Sequence, residues 1–191
     1  MAPLRTVRTV TDPAVLAALA HATRRRLMDV LKSTDAATVS TLAERTGVAV
    51  GSASHHLKVL AQAGLVEEVE EHSPDRRERW WRLVDVAIRW RGTDFDDSPA
   101  TEAIVAAATS LGLERQVDLA RRSLAADPDA PHARAAFSTD AWLRLTAVEL
   151  DDLAAELQQV ITRFRERAVA DAGNDERAQV FVFARGFPAM P

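Results

Sequence analysis

Apolar residues recur at steps of three and four through the first sixty or so positions and then, after Gly64, at steps closer to two, so a helical run gives way to a strand run. Between residues 13 and 32, Val15, Leu16, Leu19, Leu27, Val30 and Leu31 predict one helix or two short ones, with Asp12 as N-cap and Pro13 in the first turn. A shorter helix follows from about Val39 to Thr46, with Leu42 and Ala43 inward, a Thr41 to Glu44 capping box and Gly47 as its stop. The third helix spans about Gly51 to Ala63 and ends at Gly64. Its apolar side is Ala53, Leu57, Leu60 and Ala61, which leaves Ser52, His55, Lys58, Val59 and Gln62 pointing outward, flanked by Ser54 and His56.

The strand run consists of "LVEEVEE" and "ERWWRL", joined by the turn residues of "HSPDRR", and it predicts a β-hairpin. Residues 85 to 99 are acidic and turn-rich, which reads as a linker. Beyond it an Ala-rich helix is expected over about 100 to 125, interrupted near Gly112, and then a loop over 126 to 139. "DAWLRL", residues 140 to 145, alternates as a strand does. Thr146 and Glu149 form a second capping-box signature that opens a helix to about Val169, striped by Leu150, Leu153, Leu157, Val160 and Phe164. "AQVFVFARGF" reads as a strand able to pair with 140 to 145. The expected fold class is mainly α (α+β), divided into residues 1–92 and a helical half, 93–191, carrying that small strand pair.

Composition changes this picture in three places. With 47% apolar residues, the 191-residue chain can bury a real core. The net charge of −4 hides an asymmetry: residues 1 to 92 hold 14 bases and 11 acids, a net +3, whereas 93 to 191 hold 10 and 17, a net −7. A basic surface is therefore expected in the first half. There is no cysteine, which closes thiolate and disulfide chemistry. No run of 18 apolar residues and no signal-peptide pattern occurs, so a cytoplasmic protein with no membrane partner is expected.

Helix, short helix, tight turn, amphipathic helix and hairpin is the order of a winged helix-turn-helix, whose third helix enters the major groove of double-stranded DNA. A groove about 12 Å wide admits a helix, and outward Ser, His, Lys and Gln side chains can reach phosphates or base edges. The hairpin tip adds Arg76, Arg77 and Arg79, although Glu67, Glu68, Glu70 and Glu71 make the strand before it acidic. The segments "HATRRRLMDVL", "STLAERTGVAVGSASHHLKVLAQAGLV" and "RRERWWRL" resemble the ArsR-type winged helix-turn-helix repressors of bacteria over roughly residues 14 to 84. By that resemblance Ser52, Ser54, His55, His56 and Lys58 fall where the family contacts DNA. Gln62 and the three tip arginines complete the candidate set. The chain departs from the family at Ala49, where a capping serine is common, and at Val50.

Other chemistry finds less support. The metal-sensing members use cysteine-rich or clustered His and carboxylate sites, whereas His21, His55, His56, His72 and His132 are scattered, so no metal and no cofactor is expected. No phosphate loop, nucleophile elbow or HExxH motif is present, and the protein does not read as an enzyme. Arg24, Arg25 and Arg26 fit either a phosphate contact or a solvated helix face. Trp80, Trp81, Trp90, Trp142, Phe95 and Phe137 fit either a pocket for an aromatic effector or packed core. The expectation is a homodimeric repressor on a palindromic operator, held together by its second half and released by a small organic ligand. The alternative is a winged-helix module that binds protein and has no DNA partner.

Overall fold

The apolar run between 13 and 32 breaks at Ala20 and His21 into two helices, α1 (Pro13–Leu19) and α2 (Ala22–Lys32). Asp12 caps the first, accepting from the Ala14 N–H at 2.8 Å, with Pro13 in the first turn as expected. His21 is extended at φ −146° and caps the second, its Nδ1 accepting from the Thr23 N–H at 3.2 Å. The computed structural model describes residues 7–69, 79–84, 87–125, 127, 130–170 and 177–190, which fall in two units, Met1–Val117 and Asp118–Pro191.

In the first unit α3 (Val39–Thr46) starts directly from the two-residue strand β2 (Ala37–Thr38). The expected box between Thr41 and Glu44 does not form. Thr38 is the cap instead, its Oγ1 accepting from the Thr41 N–H at 3.2 Å. The reason is the strand: pairing opposite Trp80 holds Thr38 extended, so the helix begins one turn earlier than its first acidic residue suggests. At the other end Gly47 adopts φ 67°, and the Val48 N–H reaches back to the Ala43 carbonyl at 3.1 Å. That left-handed turn is where a glycine is needed. α4 (Val50–Gln62) follows after two residues.

The core is built from one face of each of these helices. Leu16, Leu27, Leu31, Leu42, Leu57 and Leu60 are fully buried, together with Leu83 of the sheet. Burial of each such leucine contributes about 1.5–3 kcal/mol, so α4 is anchored mainly by Leu57 and Leu60. β3 (Val66–Val69) and β4 (Trp80–Leu83) form the expected antiparallel hairpin, with Val66 opposite Leu83 and Glu67 opposite Arg82. β2 extends it to a three-stranded sheet in the order β2-β4-β3. Helices α1–α4 with this sheet make the first unit a winged helix-turn-helix.

Residues 85 to 99 are more than a linker. β5 (Ala87–Arg89) pairs in parallel with β1 (Val7–Thr9), and a 3-10 turn follows at Gly92–Asp94. Each strand has three residues, too few for alternation to register in the sequence, and what fixes the pair lies outside it. Val10 is buried beside it, its N–H donating to the Arg89 carbonyl at 2.9 Å. α5 (Pro99–Ser123) then runs unbroken past Gly112. Within the first unit its Thr101, Ala108 and Gly112 are buried, and Ile104 and Val105 pack against the core.

The second unit is different in kind. It holds the short α6 (Pro131–Arg134) and the long α7 (Ala147–Ala170). The second expected capping box is present: the Thr146 N–H donates to Glu149 Oε2 at 2.7 Å and the Glu149 N–H to Thr146 Oγ1 at 3.2 Å. The strands expected over 140–145 and the C-terminal segment do not form there. Residues 136–146 and 177–190 carry no regular element and are exposed throughout. Alternating apolar residues favour a strand only where another backbone lies beside them, and the small strand pair of this chain is β1 with β5 instead.

The two capping assignments for α3 separate in a stability measurement. Thr38→Ala is expected to lower the unfolding free energy by about 0.5–2 kcal/mol, while Glu44→Ala, at an exposed side chain, leaves it within about 0.5 kcal/mol. Urea unfolding followed by circular dichroism checks both, and a loss at Glu44 equal to that at Thr38 contradicts the assignment.

Candidate nucleic-acid interface

Burying Ala53, Leu57 and Leu60 leaves α4 only one orientation about its axis. Ser52, His55, Lys58 and Gln62 then share the exposed side, while Ser54 and His56 are half-buried at its borders and Val59 packs against the core. The helix begins at Ala49 without a side-chain cap, as the sequence suggests. The N–H groups of its first turn are therefore unclaimed by a capping side chain. Its far end is held by a residue the sequence reading missed. Arg8, next to the chain start, donates from Nη1 to the Gly64 carbonyl at 3.1 Å, at the left-handed turn (φ 64°) that ends the helix. A cation beside a helix C-terminus opposes its dipole, and here it also satisfies a carbonyl of the turn that ends the helix, but nothing in the sequence ties residue 8 to residue 64.

The arginine run after His21 also has an internal role. The Arg24 guanidinium donates to the carbonyls of Ala17 and Ala18, and Arg25 Nε donates to the Leu19 carbonyl at 2.9 Å. Both cap the last turn of α1. Arg25 also reaches the Ala108 carbonyl of α5 at 3.0 Å and lies 5.5 Å from the Trp90 ring centroid. Arg26 remains exposed. Arg24 and Arg25 are half-buried and engaged with backbone carbonyls, which a solvated face does not describe.

His56 turns back toward this junction. Its ring centroid lies 4.5 Å from that of His21 and 5.4 Å from that of His55, and among the described residues its buried Nδ1 has no hydrogen-bond partner. His55 stands on the outer face. At the wing, Arg79 is exposed and within 3.6 Å of Glu68, a surface pair worth about 0–1 kcal/mol that leaves the guanidinium able to change partner. Arg76 and Arg77 lie outside the described residues. The aromatic candidates divide: Trp80, Trp81, Trp90 and Phe95 are buried or half-buried in the first unit, whereas Phe137 and Trp142 are exposed in the second.

Residues 19–69, the segment from the end of α1 through β3, match the family described as "Helix-turn-helix domain". No curated protein matches the chain. Among solved structures, the chain is similar to a fragment of a possible transcriptional regulatory protein from Mycobacterium bovis, with 20% identity, 54% of this chain and 88% of that one covered, and a TM-score of 0.35. A homodimeric winged helix-turn-helix DNA-binding domain from the same organism, a possible ArsR-family regulator, is similar at 23% identity, with 55% and 75% covered and a TM-score of 0.34. A MarR family transcriptional regulator from Silicibacter pomeroyi is similar at 20% identity, with 72% and 76% covered and a TM-score of 0.33.

Both histidines of this tilted pair titrate below the usual histidine value of about 6.5. For His21 the main cause is burial, followed by the charges of Arg24 and Arg26. For His56 it is burial, followed by His21, Arg24 and His55. The unfolded chain therefore takes up protons before the folded one as pH falls through about 6.5, so the stability carried by the neutral pair is full above that value and declines below it. His21→Asn keeps a side chain able to cap Thr23 and removes one proton site. Its urea midpoint is expected to fall less than that of the unmodified protein between about pH 7.5 and 5.5. Equal falls would show that the histidine pair does not couple to folding.

Proposed function

We propose that the protein is a DNA-binding transcriptional regulator, a homodimeric repressor of the ArsR type. The observation that carries this reading is the outer face of α4: Ser52, His55, Lys58 and Gln62 are exposed together on a helix whose other side is locked into the core. Hydrogen-bond donors fixed on a rigid helix at the surface suit base edges and phosphates of the major groove. The uncapped amides at its start suit a phosphate oxygen. Ser54 and His56 border the contact, and Arg79 with Arg76 and Arg77 meets the backbone beside it. In this reading residues 1–92 read DNA and 93–191 hold two copies together, so that paired helices span a palindromic operator.

The dimer draws on the outer side of α5 and on the stripe of α7. The release signal is a small organic molecule, which acts only by binding one dimer geometry better than another. With no cysteine in the chain, a thiolate metal site does not compete for that role. The protein acts in the cytoplasm, without catalysis.

Fluorescence anisotropy on the DNA flanking its own gene tests the reading. Affinity is expected to fall steeply between about 50 and 200 mM salt, and Lys58→Ala to weaken all sequences alike while reducing the salt slope by about 0.9. His55→Ala is expected to weaken the specific site more than random DNA, by roughly five- to a hundredfold for a lost base contact. An affinity indifferent to salt, or no binding at all, defeats the proposal and favours a protein partner for this face.

A further inference from the structure

Across residues 118–190 no described residue is buried, and the stripe of α7 is most open at its centre and end: Leu157, Val160 and Phe164 are 41%, 40% and 60% exposed. Nearer its start Leu150 and Leu153 are half-buried, and the backbone at Gly186 approaches Leu150 so closely that a Cβ there would lie 2.9 Å from Leu150 Cδ1. An apolar stripe of this size on a long helix needs a partner.

The charges on the same helix indicate which one. Residues 149 to 156 hold Glu149, Asp151, Asp152 and Glu156 and no base, whereas 163 to 167 hold Arg163, Arg165 and Arg167 with one acid, Glu166. The helix dipole accounts for acids in the first turn and bases in the last, but its effect fades within a turn, and Glu156 and Arg163 lie well inside both ends. Within the helix the arrangement is unfavourable, because Asp152 and Glu156, and again Arg163 and Arg167, stack like charges at i,i+4. A surface of opposite polarity running the other way removes that conflict. A second copy of α7, reversed, is such a surface.

We infer that α7 pairs antiparallel with α7 of a second copy, with Leu157 facing the partner's Val160 and Leu153 facing the partner's Phe164. The inference rests on the homodimer in the function proposed above and specifies how it is held. In heptad lettering Leu150, Leu157 and Phe164 are a positions and Leu153 and Val160 are d positions, and antiparallel pairs alternate a against d. The same register brings Glu156, a g position, beside the partner's Arg163, also a g position, twice by symmetry. It leaves Leu150 outside the seam, half-buried beside Gly186.

The absence of cysteine makes cross-linking a direct test. The double variant Leu153→Cys/Phe164→Cys is expected to form a covalent dimer on mild oxidation at micromolar concentration. Neither single variant is expected to do so, because each residue lies about 16 Å along the axis from its own copy in this register. Single variants that each cross-link to themselves would mean a parallel pair, and no cross-link in any variant would mean that something else, such as the chain's own first unit, covers the stripe; either result overturns the inference. Arg163→Glu, at an exposed site, is expected to raise the dimer dissociation constant roughly tenfold by sedimentation, and Glu156→Arg/Arg163→Glu to restore it. Failure of the double reversal to restore it also counts against the register. Because these readouts contain no DNA, a protein that cross-links as described yet ignores DNA defeats the regulator reading alone, and a DNA-binding dimer that does not cross-link defeats the helix pairing alone.

Discussion

Rotation of α4 about its own axis is the freedom on which the candidate interface depends. Each residue of a helix turns it by about 100°, so a rotation of that size would exchange Lys58 for its buried neighbour Leu57. Ala53, Leu57 and Leu60 remove that freedom by filling a packed interior in which even one methylene is felt. The axial position is set at both ends, by the Gly47 turn and by Arg8 on the Gly64 carbonyl. The outer face is therefore a consequence of the core beneath it and of two fixed termini, and no residue of the face has to stabilise it. That independence leaves Ser52, His55, Lys58 and Gln62 free to vary without cost to the core.

The opposite holds for His56. It lies on the same helix, but its ring is spent on His21 and the α1–α2 junction, where Arg24 and Arg25 also end. Burial without a hydrogen-bond partner for Nδ1 is tolerable for a neutral imidazole and costly for a charged one. A histidine in this position ties α4 to the first two helices, and it does so best above the pH at which either ring takes up a proton.

How much of this was legible follows from where each determinant lies in the chain. The limits of α3 and α4, the inward Leu42, Leu57 and Leu60, the Gly47 and Gly64 stops and the Thr146–Glu149 box depend on residues within a few positions of one another, and spacing reveals them. The capping of α3 was misplaced because Thr38 is held by Trp80, forty-two residues away in the sequence. The β1–β5 pair was hidden for the same reason, its strands lying eighty residues apart. Strands were expected over 140–145 and at the C-terminus because alternation was read without a backbone to pair with. Arg24 and Arg25 looked like surface charge because the carbonyls they satisfy belong to the preceding helix and to α5.

In the proposed regulator, Arg25 and Arg115 decide how a signal reaches the candidate interface. α5 is tied to α2 at two places, Arg25 on the Ala108 carbonyl and an ion pair between Arg115 and Asp29, and Arg25 also lies against Trp90, which follows β5. α2 carries Leu27, Met28 and Leu31 into the same core that fixes Leu57 and Leu60 of α4. A displacement of α5 therefore acts on α2 first and reaches α4 only through packed side chains, which move between discrete arrangements and do not deform continuously. In the proposed homodimer, coupling of this kind requires two dimer geometries that differ in the placement of α5. The arginine contacts make intermediate placements costly, because each one partly satisfied leaves a carbonyl or a guanidinium without its partner.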